Sequence, residues 1–187
     1  MMKLKKISQF KQETKGASMV EFALILPLLM TVSLGIYETT NYIMLSAKLN
    51  EIASGVSTWV AAQTSTATIT DCLIGANLMG TNYNFSSKGG VVVSGLQQVG
   101  STAAQKLVWQ QASLGATSQI TTSAITGQVT SSPFALASAP NLIVVEVTYN
   151  YQPTFSYFLG IFPSVKLLKF AQSVPTGSGG FNPLPPA

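Results

Sequence analysis

Residue types that do chemistry are scarce in this chain. It has no histidine, one cysteine and six carboxylates among 187 residues. Outside the N-terminal helical region the carboxylates are Asp71 and Glu146, which fall on different predicted elements, so spacing sets up no acid–base pair. Serine and threonine are abundant, but none has a visible base beside it. No Gly-x-Ser-x-Gly, phosphate-binding glycine loop or metal-ligand cluster occurs. A single cysteine, Cys72, leaves no intramolecular disulfide and no multi-cysteine zinc site. It is either buried as a small apolar residue, the reading adopted, or paired with another chain. No cofactor, no metal and no catalysis are expected. What the spacing does offer is a cut and a charge neutralisation. Gly16 is followed by Ala17, and Glu21 is the fifth residue after that glycine. Cleavage between Gly16 and Ala17 creates an α-amino group four residues from Glu21, one helical turn away.

The element that must position these residues is the long apolar run that follows. Over residues 17–37 the only charge is Glu21. A helix of that length rises about 31 Å, close to the thickness of a bilayer hydrocarbon core. An acidic side chain inside that core is unfavourable by a few kcal/mol. Glu21 therefore either sits at headgroup level as an ordinary flank or is neutralised by an amine. Pro27 lacks its N–H and frees the carbonyl of Ala23, so a bend or loosening is expected there, with Gly35 as a second weak point. Glu38 marks the outer interface, with Tyr37 and Tyr42 as interfacial aromatics.

Charge sets the topology. The net charge is +4, and the first 16 residues carry five lysines against Glu13. The remaining lysines and acids cancel, so the pI of 9.2 reflects the leader and not a basic face for nucleic acid. Basic flanks stay cytoplasmic, which places the N-terminus inside and the bulk outside. Only 9% of residues are charged, against about 25% in an ordinary soluble domain.

The basic leader, the glycine, the glutamate at the fifth place and the apolar helix together resemble the processing site of type IV prepilins. The fuller string Gly16-Ala17-Ser18-Met19-Val20-Glu21-Phe22-Ala23, then Leu26-Pro27-Leu28-Leu29 and Gly35-Ile36-Tyr37-Glu38, resembles the TadE-type minor pseudopilins of the Tad (Flp) pilus system. The resemblance implies a subunit cut after Gly16 by a prepilin peptidase and held in the inner membrane. It implies partnership with other Tad pilins or pseudopilins and the assembly platform, with no role for nucleic acid. It also implies that Glu21 registers the subunit against its neighbours. Two alternatives stand beside it. One is an uncleaved single-pass protein whose head is a binding or adhesion module. The other is an anchored hydrolase, which would need a reactive serine or a pocket.

Beyond the span the helix is expected to continue to about residue 64. Leu45, Leu49, Ile52, Val56 and Trp59 form one apolar stripe at spacings of three and four. Thr64-Ser65-Thr66 ends it. A short helix follows over 70–79, capped by Thr70 or Asp71 and stopped by Gly80. Strands over 91–99 and 106–112 form a hairpin through Gly100-Ser101-Thr102, with Trp109 facing the core beside Leu107. Residues 113–140 read as loops with one short element. Residues 142–151 are the clearest strand, with Glu146 on its polar, solvated face. Pro153 ends it. The run from Phe155 to Phe162 is an apolar connector, packed on the core or presented to a partner. Residues 166–174 form the closing strand.

The segments around Val108-Trp109-Gln110 and Glu146–Pro153 also resemble the same family, more weakly. Gln172-Ser173-Val174-Pro175 stands where that family often has basic residues. The expectation is thus an α+β chain. It has a leader (1–16), a helix (17–64), an extracytoplasmic antiparallel β-sheet head (65–174) and a disordered tail (175–187).

Overall fold

The computed structural model describes residues 14–62, 67–100, 104–113, 115–124, 126–133, 135–137, 139–155 and 164–176. Residues 1–13 of the expected leader (1–16), the Thr64-Ser65-Thr66 stop, the turn residues Ser101 and Thr102, the connector from Ser156 to Phe162 and the tail from 177 lie outside the described residues.

One helix dominates. Helix α1 runs over Thr14–Ala62, unbroken through Pro27. Its hydroxyl residues do not disrupt it, because they bond back to carbonyls one turn earlier. Thr31 donates to Pro27 O at 2.8 Å, Thr39 to Gly35 O at 2.8 Å and Thr40 to Ile36 O at 2.9 Å. Such back-bonding lets a hydroxyl sit in an apolar setting without an unpaired donor.

Burial along α1 begins abruptly. Residues 18–33 are all exposed. From there Glu38, Leu45, Leu49, Ile52, Val56 and Val60 are buried at helical spacing. Their face lies against a four-stranded antiparallel sheet of order β2-β1-β5-β6, formed by β1 (Gly89–Gln98), β2 (Gln105–Ala112), β5 (Asn141–Tyr151) and β6 (Val165–Ser173). The second helix, α2 (Ala67–Met79), packs beside α1. It starts before Thr70, so Asp71 sits inside it, exposed, and caps nothing. A single 3-10 turn (Thr81–Tyr83) and a four-residue helix α3 (Phe85–Lys88) lead into β1.

Two hydrophobic clusters hold the head, one on each side of the sheet. The larger joins Leu49, Ile52, Val56 and Val60 of α1 to Val91, Val93, Val145 and Val147 of the central strands. Burying each such side chain contributes about 1.5–3 kcal/mol. The smaller, on the opposite face, gathers Leu96, Ile120, Ala139, Leu142 and Val144. Residues 113–140 supply its lid, including the two-stranded ribbon of β3 (Thr121–Thr122) and β4 (Val129–Ser131).

Three further expectations are corrected. Glu146 is not solvated: its relative exposure is 0%. Strand β5 is covered on both faces, so alternation identifies sides without making one of them wet. Trp59 is half-exposed and Val60 takes its place in the stripe. The indole instead lies on α2 above Gly75, where an added Cβ would come within 2.8 Å of Trp59 Cζ3. Trp109 and Leu107 part company. The β1–β2 register shifts between Gly95 and Leu96, leaving Val108 as the extra residue. That bulge turns Trp109 to the α1 side and Leu107 to the other.

Candidate functional site

The first part of α1 is an apolar rod that its own head does not cover. Met19 is 77% exposed and Leu24 73%. Phe22, Leu28, Met30 and Ile36 are exposed as well. The most apolar 18 residues of the helix have no burial inside the protein. Apolar side chains on this scale need a cover, and the helix is long and apolar enough to cross a bilayer. Its length and exposure fit a membrane anchor.

The sequence-selected residues all fall on this rod. Gly16 and Ala17 lie in the first turn of α1. Glu21 and Phe22 stand exposed one turn further on, and no ion pair to Glu21 occurs among the described residues. Pro27 sits mid-rod with its carbonyl engaged by Thr31. Gly35 forms a notch: a Cβ there would meet nothing within 4 Å. Together with Val32, Ile36, Thr39 and Thr40 it lines a shallow groove of about 370 Å³.

Where the rod enters the head, the structure adds a residue that sequence reasoning placed at an interface and left without a partner. Glu38 is only 3% exposed. Its Oε2 accepts the Tyr151 hydroxyl at 2.7 Å, and its Oε1 accepts the Phe155 N–H at 2.9 Å. Both oxygens are used, which is what a buried carboxylate requires. Aromatic rings frame the pair. Tyr37 meets Phe155 edge-on with centroids 5.7 Å apart, and Tyr42 meets Tyr151 the same way at 5.7 Å. Burial pushes the Tyr151 phenol well above its ordinary range, and the Glu38 hydrogen bond and charge push it further. The signal was available: Glu38 lies seven residues before Leu45, on the same face of the helix.

Glu146 occupies a second buried carboxylate site, on the opposite face of the sheet. Its Oε2 accepts the Gln119 N–H at 3.0 Å, while Oε1 has no hydrogen-bond partner. It pins the 113–140 segment to β5. Asp71 and Glu146 are not brought together, since one lies exposed on α2 and the other beneath the lid. Cys72 is buried in the α1–α2 cluster. Burial first, and the neighbouring Asp71 charge second, push its thiol upward, away from the reactive thiolate.

Residues 16–56 match the family model described as TadE-like protein. No curated protein and no solved structure matches the chain. The matched stretch opens at Gly16, contains the whole exposed rod and Glu38, and closes on Val56 of the buried stripe. The anchor of this chain, with its entry into the head, is similar to that of TadE-like proteins.

Proposed function

We propose that this chain is a minor pseudopilin. A prepilin peptidase removes its leader after Gly16, the anchor holds it in the inner membrane with the head outside, and it enters or starts a Tad-type adhesion pilus. The observation that carries this reading is Glu21: a lone carboxylate on an uncovered apolar helix, four residues from the amine that a cut after Gly16 would create. Without that amine the carboxylate is costly in a bilayer or in a bundle of apolar helices. With it, the two charges can pair within the chain or between neighbouring subunits. The described head supports a display and packing role, because its two buried carboxylates serve the fold.

The test is the N-terminus of the protein extracted from membranes of its native host, read by intact mass. A chain beginning at Ala17 supports the proposal. A chain that keeps its first residues leaves a signal-anchored binding module instead.

A further inference from the structure

The direction of β6 fixes which end of the head faces the anchor. At one end Val165 pairs with Tyr151, whose hydroxyl reaches Glu38. At the other, Ser173 shares a 2.7 Å hydrogen bond with Ser57. From Glu38 to Ser57 a helix rises about 28 Å. From Val165 to Ser173 a strand advances about 26 Å. The strand therefore runs alongside the helix and in the same sense, and the Tyr151–Val165 end of the sheet is level with the outer limit of the anchor.

That end carries an open cavity of about 350 Å³, lined by Lys88, Gly89, Thr148, Tyr149, Asn150 and Lys166. Lys166 pairs with Asn150 and Gly89 with Tyr149, so both lysines stand one residue from the end of the sheet. Both are exposed. Among the described residues the ion pair is Lys48–Glu51, higher on α1, and neither Lys88 nor Lys166 has a carboxylate. Glu38, the acid nearest that level, is buried, with each oxygen hydrogen-bonded inside the protein. Two unneutralised cations, a threonine and an asparagine thus line one cavity at the bilayer side of the head. Lys106, also exposed, sits at the far end, opposite Gln97, which itself pairs with Asn141.

We propose that the Lys88–Lys166 cavity receives anionic phospholipid headgroups, seating the head on the outer surface of the membrane that holds its anchor. Lysines act on phosphate as point charges with rotatable donors, and the exposed Asn150 adds a neutral donor beside them. The proposal rests on the anchor being membrane-spanning, and it adds a defined orientation of the head to that reading.

The test is amine acylation of the full chain in nanodiscs, followed by mass spectrometry at each lysine, in phosphatidylcholine alone and with phosphatidylglycerol added. Lys88 and Lys166 are expected to react about ten-fold more slowly in the anionic discs, the scale set by two lysines at a charged surface. Lys106 should react alike in both, being farther from the bilayer than a Debye length of about 10 Å. High salt should remove the difference. Equal rates for Lys88 and Lys166 in the two lipids overturn the proposal and leave the anchor intact. Slowing in neutral discs on addition of inorganic phosphate reassigns the cavity to a soluble anion and also overturns it. A chain that enters neither disc overturns the anchor reading, and the proposal with it.

Discussion

Tyr151 donates its hydroxyl to Glu38 at 2.7 Å across 113 residues of sequence, joining the end of the central strand to the point where the anchor meets the head. Glu38→Ala should destabilise the head by about 1–3 kcal/mol, because it strands both the hydroxyl and the Phe155 N–H. Tyr151→Phe should cost less, leaving one carboxylate oxygen unpaired and the other still bonded. Urea unfolding of the full chain in detergent, followed by tryptophan fluorescence, measures both. A double-mutant cycle with strictly additive effects would show that the bond carries no coupling.

The same pair gives an alkaline signature. The folded-state pKa of Tyr151 is raised, so its contribution is complete below the unfolded value of about 10 and is lost as pH climbs above it. Tyr149, also raised by burial, acts in the same direction. Thermal unfolding midpoints taken upward from pH 9 should fall for the native chain. They should fall less steeply for Tyr151→Phe, which has no phenol to ionise there. Parallel curves would refute the assignment.

Substitutions along α1 should divide at the head. Leu49→Ala removes a side chain 1% exposed at the centre of the larger cluster and should cost about 2–5 kcal/mol. Leu28→Ala alters the uncovered rod and should leave the unfolding midpoint of the head unchanged. Equal losses from the two would mean that the rod is packed against the head in solution.

Glu21→Ala should insert into the membrane normally and fail to co-assemble with other pilus subunits. Fractionation reads the first, and co-purification with the assembled fibre reads the second. Normal co-assembly of the variant would remove Glu21 from the assembly step.

Glu146 tests the lid. Glu146→Gln keeps an acceptor for the Gln119 N–H, whereas Glu146→Leu removes it. Amide exchange at Gln119 should therefore accelerate in the leucine variant and stay close to native in the glutamine one. Unchanged exchange in both would show that other contacts hold the lid.

How much of this was written in the sequence depends on which interactions are local. The rod was legible because apolar length is a one-dimensional property, and the strands of the sheet because β-branched runs such as Val91–Val93 and Ile143–Val147 mark themselves. The stripe from Leu45 to Val56 followed from its spacing. Trp59 did not, since its neighbour is Gly75, on a helix whose packing angle no local pattern reports. Glu146 misled for a related reason. Alternation assigns a residue to a side of the sheet, and the lid on that side comes from the 113–140 segment, whose polar composition hides its apolar contributions, Ile120 and Ala139 among them. Trp109 and Leu107, two apart, should share a side, and only the bulge at Val108 separates them. Gly95 shows how closely that indole lies: a Cβ there would collide with Trp109 Nε1.

The stripe that buries α1 in its own head has a mechanical meaning. Leu45, Leu49, Ile52, Val56 and Val60 interlock with the sheet over four turns, and Glu38 and Ser57 latch the two ends of the overlap. A load applied along the anchor meets this overlap in shear, with every contact sharing it, so the helix cannot creep past the sheet one residue at a time. Tension on the rod is delivered to the head without slack, and each residue of helix drawn out of the bilayer lifts the head by about 1.5 Å.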